Sequence, residues 1–276
     1  MFLERINQDL LQDLESLPEI LSSISPENSH QTKLQIPQEQ PKPLDKPPVN
    51  KPLEDQTLVK TPGGGENPSL DPLGATNLDS LRFRTRNCEK CSLSQTRTTT
   101  VFGQGNQKAD IVFVGEAPGE DEDRTGLAFV GKAGKLLTQI IHSIGLNREA
   151  VYICNIIKCR PPGNRNPNAD EITACFPFLL KQLELLKPGL IVTLGNVATK
   201  ALIPEASGIM KMRGKLISFN GIPLIPTFHP SYLLRNQSAL PQVWNDMRQI
   251  RQILHKRSLN DPSKTHPQED YSLENR

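Results

Sequence analysis

Long apolar runs are missing from this sequence, and cysteine is scarce. No apolar stretch approaches the roughly 20 residues that a membrane-spanning helix needs. The first residues also lack the charged and apolar pattern of a secretory signal peptide. Five cysteines in 276 residues do not form the dense framework typical of a small secreted disulfide protein. We therefore expect a cytoplasmic protein with no membrane partner.

Aromatic residues are also few, at 5% of the chain, and none falls between Ser25 and Asp71. Pro, Gln, Lys, Glu and Ser dominate that stretch, a composition that buries too little apolar surface to fold. We predict a disordered, proline-rich extension over residues 1–75 and a second polar tail at 259–276. Apolar residues at helical spacing predict an amphipathic helix at 1–21, which either docks a protein partner or packs on the chain's own core.

The net charge is only +2, so any contact with a nucleic acid must depend on local clusters of basic residues. Three such clusters are present: Lys158, Arg160 and Arg165; Lys211, Arg213 and Lys215; and Arg248, Arg251, Lys256 and Arg257. Phosphate contacts and ordinary solvated surface charge are both open interpretations of each cluster.

Residues 76–258 have the alternating pattern of one α/β domain. Short apolar runs predict four strands: Ile111–Gly115, Val151–Ile157, Leu190–Leu194 and Leu224–Phe228. Helical spacing predicts helices at Gly131–Ile144, Asn168–Leu186, Ala198–Leu202 and Pro241–Lys256. This alternation favours a three-layer sandwich in which helices flank a central, mainly parallel four-stranded sheet. Pro226 places the last strand at an edge, or marks its end.

Three of the predicted strands run directly into polar loops. These loops are Gly115–Asp123, Asn155–Asn166 and His229–Asn236. The carboxyl ends of parallel strands lie at one edge of a sheet, where reactive groups collect. The sequence therefore predicts a site at this edge.

Four cysteines are arranged as two pairs around the predicted sheet. Cys88 and Cys91 are separated by two residues, and Cys159 and Cys175 lie at a strand end and in the following helix. Four thiolates without a nearby histidine suit either zinc or an iron–sulfur cluster, and spacing alone leaves both open. Cys154 alternates to the other face of its strand and is most simply a small buried apolar residue.

Taken together, these motifs resemble the iron–sulfur uracil-DNA glycosylases, the fourth family of their superfamily. The resemblance covers roughly residues 80–257 and includes the four cysteines and four motifs: Gly115–Gly119, Gly126–Gly134, Asn155–Asn164 and His229–Asn236. It implies a monofunctional, monomeric glycosylase that hydrolyses the N-glycosidic bond of uracil in single- or double-stranded DNA and so initiates base excision repair. It also implies a [4Fe–4S] cluster on Cys88, Cys91, Cys159 and Cys175.

The resemblance assigns three roles around a uracil flipped out of the DNA. Phe129 would stack on the base, and the amide of Asn155 would match its O4 and N3–H edge. His229 would donate a hydrogen bond to O2 and stabilise the departing anion. With Glu116, His229 and Asn155 form the predicted catalytic set.

The sequence offers several candidates for the group that activates water. Ala117 stands where the most active branch of the superfamily has Asp, so this role is left to Glu116, an acidic residue within Glu120–Asp123, a backbone carbonyl or electrostatics alone. Glu122 is expected to exclude the 5-methyl group of thymine. The other predicted substrate-binding residues are Gly115, Ala117, Pro118, Gly119, Ser231 and Arg235, and Arg235 and Leu234 are candidates to fill the space of the flipped base.

Two other functions are compatible with the sequence. One is a non-catalytic module that binds a metal cluster and a nucleic acid or a protein partner. The other is a glycosylase of the same superfamily with a different base preference, because fold does not fix substrate.

Overall fold

The structure is a computed structural model that describes residues 71–260, with side chains described to residue 257. The predicted amphipathic helix at 1–21 and nearly all of the predicted extension at 1–75 lie outside the described residues. So does the predicted tail, except for residues 259 and 260, which belong to the last helix.

A six-stranded mixed sheet forms the centre of the described region. Its strands are β1 (Gln104–Gly105), β2 (Ile111–Gly115), β3 (Tyr152–Asn155), β4 (Leu190–Leu194), β5 (Ile217–Phe219) and β6 (Ile222–Thr227). In the order β1-β3-β2-β4-β6-β5, the four inner strands run parallel, and both outer strands are antiparallel to their neighbours. The α/β class is confirmed, but the prediction of four strands is wrong. The two missed strands have two and three residues, too few to show a periodic pattern.

Of the two alternatives predicted for Pro226, an edge strand is wrong, and a position near the end of its strand is confirmed, because β6 ends at Thr227. Strand β6 lies between β4 and β5. However, β5 pairs with β6 only from Ile222 to Leu224, so Pro226 lies beyond its end. The carbonyl of Pro226 accepts a hydrogen bond from the backbone N–H of Gly214 at 2.8 Å. The missing N–H of the proline therefore interrupts no ladder.

Eight α-helices accompany the sheet in the described residues: α1 (Leu78–Arg86), α2 (Glu120–Thr125), α3 (Lys132–His142), α4 (Ala169–Leu186), α5 (Gly195–Leu202), α6 (Ile209–Met212), α7 (Pro230–Arg235) and α8 (Leu240–Asn260). Glu171 fixes the start of α4 because its carboxylate accepts the backbone N–H of Asn168 at 2.8 Å. No helix between residues 71 and 260 combines the length and apolar character needed to cross a membrane.

The register of the sheet brings the carboxyl ends of the parallel strands level with one another. Gly115 of β2 pairs with Asn155 of β3, and Leu194 of β4 pairs with Thr227 of β6. The segments that follow these four residues therefore leave the sheet side by side. This edge is where the sequence predicts the site.

Candidate active site

A cleft of about 810 Å³ opens at the carboxyl edge of the sheet. Its walls come from the segments after β2, β3, β4 and β6, and from the loop before α3. The lining includes ten predicted or discussed site residues: Glu116, Ala117, Pro118, Gly119, Glu122, Phe129, Asn155, His229, Ser231 and Arg235. Of the predicted substrate-binding residues, Gly115 lies behind this lining rather than in it.

Asn155 ends β3 at the wall of the cleft. Its side chain is buried, with 1% of the residue exposed, and neither Oδ1 nor Nδ2 has a hydrogen-bond partner among the described residues. Gly115 makes room for it, since a Cβ there would come within 2.4 Å of both Asn155 Oδ1 and Phe129 Cζ. A buried amide with unsatisfied donor and acceptor is costly unless a ligand pairs with it.

Phe129 also lines the cleft, in the loop before α3. Its backbone is left-handed, with φ of 53°, a strained conformation that is uncommon for a residue with a side chain. Glu122 holds this loop, because its Oε1 accepts the N–H groups of Val130 and Gly131 at 2.9 and 3.0 Å. Its Oε2 accepts the N–H of Gly119 at 3.1 Å. These contacts show Glu122 joining the two loops, and its predicted discrimination against thymine stays a prediction.

The ring of His229 lies next to that of Phe129 in the cleft, with 5.6 Å between the ring centroids and a tilt of 36° between the planes. The backbone N–H of Ser231 donates to Nδ1 at 3.1 Å, and Ser231 Oγ lies 2.7 Å from the same nitrogen. Burial lowers the pKa of His229 to about 4, and the charge of Arg235 acts in the same direction. Because Nδ1 accepts the Ser231 N–H, the neutral ring carries its proton on Nε2. The ring therefore offers a neutral N–H donor.

The close packing beneath His229 depends on Gly195, the first residue of α5. Gly195 has a left-handed φ of 88°, and a Cβ there would lie 2.9 Å from the Cβ of His229. This position accepts only glycine without displacing the histidine.

Comparison with known proteins agrees with this geometry. Residues 102–248 match the family model described as the Uracil DNA glycosylase superfamily. The chain belongs to this superfamily. A type-4 uracil-DNA glycosylase of Thermotoga maritima is 49% identical over 175 residues, which cover 63% of this chain and 88% of the relative. A second, of Saccharolobus solfataricus, is 44% identical over 192 residues, 66% of this chain and 89% of the relative.

A type-5 uracil-DNA glycosylase of Pyrobaculum aerophilum is more distant. It is 30% identical over 153 residues, which cover 49% of this chain and 67% of the relative. The type-4 relatives thus match more of the chain at higher identity, and the predicted resemblance to the fourth family is confirmed.

Glu116 and Arg235 both line the cleft and differ in exposure. Glu116 directly follows β2 and is half-buried, and burial raises the pKa of its carboxyl group. Arg235 is exposed at the end of α7, next to the half-buried Leu234. Arg235 lines the cleft, and contact of Arg235 and Leu234 with the DNA stays a prediction.

Neither of the two interpretations of the first basic cluster, phosphate contact or solvated surface charge, holds for Lys158. Only 1% of Lys158 is exposed, and its Nζ donates to the backbone carbonyl of Asn155 at 2.9 Å and to Gln182 Oε1 at 2.7 Å. Arg165, by contrast, lies in the cleft wall with its guanidinium on Glu171, at N–O distances of 2.6 and 2.8 Å. The sequence shows the positive charge of residue 158 but not that its long side chain folds inward.

Four residues that were not predicted from the sequence also line the cleft: Asn196, Ile209, Met210 and Tyr232. Asn196 lies just after β4 and accepts the backbone N–H of Ile209 at 3.2 Å through Oδ1. The available signal was its position just after a parallel strand, where the sequence predicts that site residues collect.

The four cysteines proposed as ligands collect in one region next to the sheet. Cys159 and Cys175 are buried in the core, and Cys88 and Cys91 pack half-buried against it. Burial raises the pKa of Cys175 to about 12. Two N–H groups point at the sulfurs: Arg97 Nη1 is 3.4 Å from Cys159 Sγ, and the backbone N of Lys158 is 3.3 Å from Cys175 Sγ. Cys154 is fully buried in β3.

Among the described residues, no group of three His, Cys, Asp or Glu side chains forms a recognisable site for one metal ion. Four thiolates suit either zinc or an iron–sulfur cluster. The all-sulfur donor set, with N–H groups aimed at sulfur, fits such a cluster.

The depressed pKa of His229 predicts that stability depends on pH in a definite direction. Between pH 6.5 and about 4, the unfolded chain binds a proton on His229 that the folded chain does not. Stability is therefore lost as the pH falls through this window, by at most about 3 kcal/mol from this one group. Urea unfolding of the wild type and of His229→Gln at several pH values measures this contribution. As the pH falls, the free energy of unfolding of the wild type should decrease relative to that of His229→Gln. Parallel pH dependences of the two proteins would contradict the assignment.

Proposed function

We propose that this chain excises uracil from DNA by hydrolysing the N-glycosidic bond, and so initiates base excision repair. The observation that carries the proposal is the amide of Asn155, which is buried at the cleft wall without a hydrogen-bond partner among the described residues. Oδ1 can accept the N3–H of uracil while Nδ2 donates to O4. Cytosine presents the reverse pattern at these two positions, so the same amide orientation disfavours it.

The other residues supply stacking and charge stabilisation. Phe129 lines the cleft, where it can stack on a base that has been flipped out of the DNA, and His229 lies beside it. Cleavage leaves negative charge on the O2 of the departing uracil. The Nε2–H of a neutral His229 can donate to that oxygen, and its Nδ1 is already fixed by Ser231.

The cleft favours hydrolysis over attack by an amine. No lysine occurs among the described residues that line the cleft, and the buried Lys158 donates to Asn155 and Gln182. A glycosylase that also cuts the strand normally uses an activated lysine to form a Schiff base. Glu116 is our candidate for orienting the attacking water, because Ala117 cannot polarise one.

We further propose that Cys88, Cys91, Cys159 and Cys175 bind a [4Fe–4S] cluster. The donor set and the N–H groups directed at Cys159 and Cys175 support this assignment. The cluster would hold together the segment before β1, the loop after β3 and helix α4. We expect the protein to act as a cytoplasmic monomer on single- or double-stranded DNA, with segment 1–21 available for a protein partner.

The reaction class can be tested with oligonucleotides that contain one uracil, thymine or hypoxanthine. We expect release of free uracil alone, and strand cleavage only after alkali opens the abasic site. Borohydride should trap no covalent protein–DNA adduct. A trapped adduct would refute hydrolysis, and faster release of hypoxanthine would identify a different base preference.

A further inference from the structure

The side chain of Lys158 links the recognition residue Asn155 to helix α4. Its Nζ contacts the carbonyl of Asn155 at 2.9 Å and Gln182 Oε1 at 2.7 Å. Gln182 is itself fully buried, and its Nε2 donates to the carbonyl of Phe102 at 3.0 Å and to the hydroxyl of Tyr152 at 2.9 Å. Both the Lys158 ammonium and the Gln182 amide therefore make two hydrogen bonds each, or more, with neighbouring groups.

The carbonyl of Asn155 needs such a partner because of where β1 ends. In a trans peptide, the C=O of residue 155 and the N–H of residue 156 point in opposite directions. The N–H of Ile156 donates to Gly115 on the β2 side at 2.9 Å, so the Asn155 carbonyl points to the β1 side. Strand β1 pairs with β3 only as far as Ile153. Since β1 has no residue opposite Asn155, the ammonium group of Lys158 supplies the hydrogen bond that a longer β1 would have donated to this carbonyl.

The backbone of Lys158 is fixed as well as its side chain. Its carbonyl accepts the N–H of Val101 at 2.7 Å, and its own N–H donates to Cys175 Sγ at 3.3 Å. The backbone of Lys158 is thus fixed beside two of the proposed cluster ligands, Cys159 and Cys175. Its ammonium group binds the backbone of Asn155, the residue proposed to hydrogen-bond to the base.

We infer that Lys158 is a positioning residue for base recognition, which holds the end of β3 so that the Asn155 amide points into the cleft. The inference rests on the proposed function, because Lys158 would affect excision only by positioning Asn155 for its contact with uracil. Lys158 touches neither the DNA nor the base in this role. Loss of its side chain should therefore impair chemistry while leaving DNA binding intact.

The first test replaces Lys158 by methionine, which has a similar length and no donor, with Lys200→Met on the exposed face of α5 as the matched control. We expect kcat for uracil excision to fall roughly 10- to 100-fold, as small misplacements of reacting groups do, while KM for the oligonucleotide stays unchanged. The control should match the wild type. Unfolding temperature and visible absorbance, recorded on the same samples, report on the fold and the cofactor separately.

A double-mutant cycle with Asn155→Ala distinguishes positioning from a general structural role. If Lys158 acts through Asn155, adding Lys158→Met to Asn155→Ala should reduce kcat little further. Independent effects that multiply would overturn the inference, as would full activity of Lys158→Met.

If Lys158→Met does not fold, Gln182→Leu removes the second contact of Nζ and should give a smaller loss of kcat. Unchanged kcat in a folded Gln182→Leu protein would then refute the inference.

A crystal structure of Lys158→Met gives a readout that needs no activity. We expect the Asn155 amide to shift by about 1 Å or to rotate relative to the wild type, whereas an unchanged amide would refute the inference. Absence of uracil excision by the wild type would refute the proposed function instead. The two failures are therefore distinguishable.

Discussion

Replacing His229 by alanine is expected to slow uracil excision by about 100- to 1000-fold, because it removes a preorganised donor to the developing O2 anion. Asn155→Ala should cause a loss at least as large, since uracil would lose both contacts along its N3 and O4 edge. Affinity for undamaged DNA should change little in either variant. Single-turnover release of uracil measures the rate, and fluorescence anisotropy with a uracil-free oligonucleotide measures the binding.

Two exposed residues provide matched controls for these variants. His142 at the end of α3 and Asn147 before β3 are both exposed, and neither lines the cleft. His142→Ala and Asn147→Ala should keep wild-type rates. If His229→Ala retained more than about a tenth of the wild-type rate, His229 would not be the oxyanion donor.

Replacing Cys175 by serine is expected to abolish the visible absorbance of anaerobically purified protein and to destabilise the domain by about 4 kcal/mol or more. Loss of a bound metal group is among the largest single-site effects, because its binding free energy contributes to folding. The same result is expected at Cys88, Cys91 and Cys159. Iron and sulfide content, visible absorbance and urea unfolding are the measurements.

Cys154→Ser is the internal control for the cysteine series. Cys154 is fully buried in β3, so serine there should cost some stability but leave the colour and the iron content intact. Loss of the cluster in Cys154→Ser, together with an intact cluster in Cys175→Ser, would reverse the ligand assignment. Stoichiometric zinc in place of iron would refute the cluster itself.

The inner strands and long helices could be predicted from the sequence because their apolar residues are continuous or periodic. Strand Ile111–Gly115 has the predicted bounds, and the predicted helix ending at Leu186 is present. Short elements could not be predicted in this way. The acidic segment Glu120–Thr125 forms a helix with little apolar periodicity, and β5 has three residues whose pairing is decided by the neighbouring strand.

The position of the site followed from the predicted strand ends, but the roles of individual charged residues did not. Asn155 and His229 lie at strand ends, where sequence alone places a site in a parallel sheet. Lys158 lies in the same polar loop as Arg160, yet only Lys158 is buried. That difference depends on the end of β1 and on Gln182 of α4, which is 24 residues away in the sequence. Local composition contains no signal for it.

The most direct test of uracil recognition by this cleft is a crystal structure of the protein soaked with free uracil. We expect the base to stack on the ring of Phe129, with N3–H donating to Asn155 Oδ1, O4 accepting from Nδ2, and O2 accepting from His229 Nε2. Uracil bound elsewhere, or bound in the cleft without contact to Asn155, would contradict the assignment.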